Sequence, residues 1–184
     1  MRAPVSSRDV EEAEVTAALD ARGQQAVADL LETWAYTPQP GDTVSIGRLL
    51  IAASEHRVYA GDPHGALRLA QRAVETGDDV PPDARCYVVS ALLACGRGEE
   101  AWVLTERVMA DHVRADAEVY LFLGETYGWY GEAAAAAQVF GRGLFRCAGD
   151  SEAVESLLGA WRRSRAARSG RIDLDDLPGQ RVPH

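Results

Sequence analysis

The sequence predicts an all-α protein, and three observations carry that reading. Apolar residues recur at helical spacing without sustained alternation. Gly and Pro cluster at Pro38-Gln-Pro-Gly41, Gly77-Asp-Asp-Val-Pro-Pro82 and Ser169-Gly170, cutting the chain into segments. Finally, Gly61, Gly96 and Gly131 stand 35 residues apart, and Ala66, Ala101 and Ala136 each follow one of them by five residues.

Asp9-x-x-Glu12 reads as a capping pair opening a first helix that runs to about Asp20. A second helix has Val27, Leu30, Leu31 and Trp34 as its apolar face and stops before Pro38. The first helices of three hairpins then fall at about 45–60, 83–95 and 117–129, and the second helices follow the three glycines, where 62–74, 97–109 and 132–144 align position for position. Each glycine supplies the left-handed backbone of a tight interhelix turn, and each alanine lets two helices approach closely. Asp62 before Pro63 suits a helix start, with Asp as cap and Pro at the first helical position. Asp83 and Asp116, like Tyr87 and Tyr120, are 33 apart rather than 35, so the first helix or the turn of the third unit is longer. A last helix from Ser151 to about Arg168 carries Leu157, Leu158 and Trp161. The organisation expected is an N-terminal helical pair at 1–44, a repeat domain with a closing helix at 45–168, and a polar, Pro-bearing flexible tail at 169–184.

Over roughly residues 45–150 the chain resembles the tetratricopeptide repeat family. Tyr120, Leu123, Gly124, Tyr127, Gly131, Ala136 and Phe140 fall at that family's spacing, with Gly143 where a small residue is usual. The first two units depart from it: Arg57 and Leu92 replace a favoured Tyr, Ser54 and Val89 a favoured Gly or Ala, and no unit ends in the usual Pro. The resemblance implies a right-handed superhelical α-solenoid of helix hairpins, with N-terminal helices as cap or diverged repeat and a C-terminal capping helix. It also implies a concave groove lined by the first helices, in which Glu55, Tyr59, Tyr87, Ser90, Phe122, Glu125 and Trp129 face a bound peptide. Family members that grip a C-terminal carboxylate use Lys, Arg and Asn at such places, and this chain has no Lys or Asn. The implied ligand is therefore a basic or amphipathic segment, with aromatics supplying buried area and Glu selecting Arg or Lys. The alternative is that Tyr87, Phe122 and Trp129 simply pack between hairpins.

Composition narrows the function further. A chain of 184 residues, 47% hydrophobic and 26% charged, is long enough for one domain with a core. All 19 basic residues are Arg, and 28 carboxylates leave a net charge of −9, which disfavours phosphate backbones, so nucleic acid is not an expected partner. No stretch has the apolar run of a signal peptide or membrane span, and the expectation is a cytoplasmic protein without a membrane partner. Cys86, Cys95 and Cys147 are read as reduced thiols. His56, His64, His112 and His184 lack a partner at metal-ligand spacing, and no metal or other cofactor is expected. Glu99-Glu100, Asp78-Asp79 and Asp175-Asp176 are adjacent rather than a helical turn apart, which reads as solvated surface. With no phosphate loop, HExxH or GxSxG, no catalytic residue is assigned.

Arg162, Arg163, Arg165 and Arg168 form a secondary basic patch on the last helix. They serve either an acidic partner or RNA, or else the helix dipole and the chain's own carboxylates. The function these features imply is a non-catalytic adaptor holding another protein. A small acidic chaperone for an aggregation-prone client and a regulatory subunit of an enzyme are the alternatives. Three repeats are few for a stable stack, so a homodimer through an exposed end is also compatible.

Overall fold

The computed structural model describes residues 2–16, 20–111 and 116–175, with side chains described at 2–15, 20–111 and 116–166. Every regular element among the described residues is a helix: α1 (Ser7–Thr16), α2 (Ala21–Tyr36), α3 (Ile46–Tyr59), α4 (Pro63–Thr76), α5 (Ala84–Ala94), α6 (Gly98–Asp111), α7 (Ala117–Trp129), α8 (Ala133–Arg146) and α9 (Ser151–Asp175). The chain divides into two units, Met1–Asp111 and His112–His184, and each is described by itself.

The three repeat turns are built alike. Gly61, Gly96 and Gly131 have φ of 82°, 71° and 82°, a region where only glycine is unstrained. Asp62 N–H donates to Arg57 O at 2.9 Å, Arg97 N–H to Leu92 O at 2.9 Å, and Glu132 N–H to Tyr127 O at 2.9 Å. The glycine N–H groups donate to Val58, Leu93 and Gly128 carbonyls at 3.0, 2.9 and 3.2 Å. This pair of bonds is the Schellman closure, which satisfies carbonyls that the ending helix leaves open. The drift from 35 to 33 residues resolves into helix length rather than turn geometry, because α7 spans 13 residues and α5 only 11.

Aspartate caps α2, α4, α5 and α7. Asp20, Asp62, Asp83 and Asp116 accept from Gly23, Gly65, Arg85 and Glu118 N–H groups, and Ser45 does the same for Arg48. Pro63 opens α4 as expected. The start of α1 differs from the sequence expectation. Asp9 is not the cap but the residue that reaches back, accepting from Ser6 N–H at 2.8 Å and from the Ser6 hydroxyl. Ser6 is therefore the capping residue, and the box lies one turn earlier than Asp9-x-x-Glu12. Residues 17–19, where the first helix was expected to continue, lie outside the described residues. The apolar face of α2 is also corrected: Leu30 is exposed, and the buried stripe is Gln24, Val27, Ala28, Leu31 and Ala35, with Trp34 half-buried at its edge.

In the first unit α2 packs on α3, α3 on α4, α4 on α5 and α5 on α6, and α3 also touches α5, so the first helices of successive hairpins lie side by side. Ala66 and Ala101 are fully buried, as the close approach of their helices requires. Ser54 donates its hydroxyl to Ala66 O at 2.9 Å, satisfying a buried polar group across the hairpin. Gln24 and His56 form a second buried polar contact, Oε1 to Nδ1 at 2.7 Å, between α2 and α3. Arg57, standing where an aromatic was expected, donates to Asp29 at 2.8 Å and Glu32 at 2.7 Å and ties α3 to α2 through charge. Asp78 departs from the solvated-surface expectation: its carboxylate accepts from Gly47 N–H at 2.7 Å in the first turn of α3.

In the second unit α7, α8 and α9 all pack on one another. A Cβ on Gly124 would lie 2.6 Å from the Phe140 ring, and one on Gly143 would lie 2.7 Å from Tyr120 Cβ, so both glycines are required by close packing. Leu157 and Ala160 are the buried residues of α9 in its middle, while Leu158 and Trp161 are half-buried. The helix continues past Arg168 to Asp175, and residues 176–184 lie outside the described residues.

Candidate functional site

The expected groove residues fall in both units, and each set has its own surroundings. In the first unit Glu55, Tyr59, Tyr87 and Ser90 come from α3 and α5, which lie side by side. Tyr59, the last residue of α3, is 65% exposed, whereas Tyr87 and Ser90 are half-buried. The Tyr87 hydroxyl donates to Pro81 O at 3.0 Å, which fixes the ring against the segment before α5.

Glu55 is the most perturbed group of this set. Burial pushes its carboxyl up to about 7, with Arg48 pulling it down and Glu14 adding to the rise. Its side chain nonetheless keeps 43% of its surface open. The carboxylate is thus partly desolvated and still reachable from solvent. Tyr87 is pushed up to about 12 by burial first and by the Glu55 charge second, which places the phenol within electrostatic reach of that carboxylate. Arg48 lies 4.0 Å from Glu55 and 3.8 Å from Glu14 on α1.

Arg48 and Glu14 were not among the residues read from the sequence. Arg48 left a signal, since it precedes Glu55 by seven residues and so shares its helix face. Glu14 left none, because the meeting of α1 with α3 is a tertiary event.

In the second unit Phe122 is half-buried, Glu125 is exposed and Trp129 is 74% exposed. Glu125 accepts from Arg163 at 3.0 Å, so one expected groove residue meets one member of the expected basic patch. Arg165 lies over the Trp161 ring at 5.9 Å from its centroid, within cation–π range. Arg162 is exposed. Arg168 lies on α9, and its side chain is outside those described.

His64 Nδ1 lies 3.8 Å from Cys95 Sγ, a pair 31 residues apart that spacing did not disclose. Burial raises the Cys95 thiol, Arg97 opposes and Asp62 reinforces, so the thiol form is favoured. Cys86 and Cys147 are buried and not joined in a disulfide. Among the described residues no group of three His, Cys, Asp or Glu side chains is placed to hold a metal ion, and no helix is long and apolar enough to cross a membrane. His112 and His184 lie outside the described residues.

Comparison with protein-family models, with curated proteins and with solved structures finds no match to this chain.

Proposed function

We propose that the chain is a non-catalytic protein-binding scaffold, a right-handed solenoid of tetratricopeptide-like hairpins that holds a basic or amphipathic peptide segment of a partner protein. The observation that carries this reading is the partly desolvated, reachable Glu55 carboxylate on α3, which lies side by side with α5, with Tyr87 of α5 in electrostatic reach. Such a position desolvates an incoming cation only in part and offers it a charge and an aromatic ring, the combination that anchors Arg or Lys. Tyr59 adds exposed aromatic surface at the end of the same helix. Phe122, Glu125 and Trp129 offer the same residue types in the second unit, where the Glu125 to Arg163 pair already matches a carboxylate with a guanidinium.

Selection from random peptides displayed on phage tests the reading. The expected outcome is enrichment of sequences that combine Arg or Lys with Leu, Phe or Trp. Glu55→Arg should abolish that enrichment without lowering the melting temperature, because the side chain is not part of the core. Recovery of the same peptides by wild type and Glu55→Arg would sink the assignment of this face.

A further inference from the structure

Arg48 hangs between two carboxylates. Its Nη2 is 3.8 Å from Glu14 Oε1 on α1, and its Nη1 is 4.0 Å from Glu55 Oε2 on its own helix. Both separations exceed hydrogen-bond length, so these ion pairs are loose. Arg57 provides the contrast within the same unit, with one nitrogen at 2.8 Å from Asp29 and 2.7 Å from Glu32. The trio sets two carboxylates against one guanidinium and carries an excess of negative charge once Glu55 is ionised. Its side chains are between 30% and 43% exposed, so solvent and a partner reach all three.

We propose that the position between Glu14 and Glu55 is a subsite for one arginine or lysine side chain of the bound segment, and that Arg48 is its internal occupant, displaced when the partner's cation enters. The proposal rests on the peptide-binding reading above and names its anchor. Arg48 is held by its own backbone on α3 and closes on neither carboxylate. A cation carried on a separate chain is free to approach until its bonds shorten to the charge-assisted range. Breaking loose, half-exposed ion pairs to make room removes little stabilisation. Tyr87, held by its bond to Pro81 O, lies within electrostatic reach of Glu55 and Arg48. Arg48 has a second consequence while it remains: its charge favours the ionised form of Glu55, which keeps that carboxylate receptive to a cation.

The test uses the full chain and two synthetic probes. One is an amphipathic peptide of leucine and arginine with blocked termini, and the other is the same peptide with every arginine replaced by uncharged citrulline. Affinities are measured at rising pH and compared on the plateau where they no longer change, at which Glu55 is ionised and arginine keeps its charge. Arg48→Gln is expected to bind the arginine peptide about two- to fivefold more tightly, the factor that corresponds to an exposed ion pair. Glu55→Gln and Glu14→Gln are expected to bind it more weakly, and none of the three should alter binding of the citrulline peptide. Unchanged or weaker binding by Arg48→Gln overturns the displaced-occupant proposal. If Glu55→Gln still weakens binding in that case, the peptide-binding reading survives. Equal binding of both peptides by wild type and all variants overturns both. Melting temperatures of the variants confirm that the fold is unchanged.

Discussion

Glu55 has chemistry unlike that of any ordinary surface carboxylate, and the difference is measurable without a partner. Burial pushes its carboxyl up to about 7 from the ordinary value of 4.5. The folded state therefore binds more protons between those two values, so this group's contribution to stability falls as pH rises from about 4.5 to about 7 and is level above. Glu55→Gln removes that slope. Subtracting the variant's unfolding free energy from the wild type's, by urea denaturation across this range, should give a difference that declines with pH. A flat difference would return Glu55 to the solvated surface. Asp42 runs the other way. Arg2 and the N–H groups of Gln39 and Val5 hold its carboxyl well below the usual range, so the stability it lends is present above about 3.8 and is lost as acid protonates it in the folded state.

Helix hairpins in this chain are specified by two different demands on glycine. Gly131 turns the chain with φ of 82° and has open space where a Cβ would go, whereas Gly124 is an ordinary helical residue against the Phe140 ring. The same substitution should fail for separate reasons. Gly131→Ala costs about 1–2 kcal/mol through backbone strain. Gly124→Ala forces the α7–α8 contact apart at a cost of about 1–3 kcal/mol. Thermal melts give the magnitudes, and Phe140→Leu separates the causes: it should recover part of the Gly124→Ala loss and none of the Gly131→Ala loss. Equal recovery in both would mean that ring packing is not what Gly124 protects. Position 54 shows how the repeat tolerates change at the site equivalent to Gly124, because Ser54 turns its hydroxyl onto Ala66 O and so leaves no buried donor unpaired.

At the scale of the whole molecule, charge decides which partners approach. A net charge of −9 with no lysine repels phosphate backbones at long range. The basic residues of α9 oppose that field locally, and Arg163 is already engaged by Glu125. A labelled duplex DNA should show no change in fluorescence anisotropy at low salt on addition of the protein, while a basic peptide should bind and be released as salt is raised. Binding of the DNA would move attention to Arg162 and its neighbours on α9.

Much of the architecture was legible from residues alone because it is locally encoded. A Schellman turn needs only its glycine and the few residues before it, an aspartate cap acts within three residues, and a buried stripe repeats every turn. The boundaries of α3, α5 and α7, the turns at Gly61, Gly96 and Gly131, and the burial of Ala66, Ala101 and Ala136 all followed from such short-range rules. The misplaced cap of α1 is the exception that fits, since Ser6 and Glu12 both satisfy the same local pattern around Asp9 and only the observed bonds choose between them. What distinguishes one carboxylate from another was decided by tertiary structure. Glu14 meets Arg48 across two helices, Arg57 takes Asp29 and Glu32 from α2, and Glu125 finds Arg163 on α9. These partners lie between 25 and 38 residues apart, beyond the reach of any helical period. Desolvation, exposure and charge pairing depend on which helices pack together, and that is settled by the sum of many weak contacts rather than by any single residue.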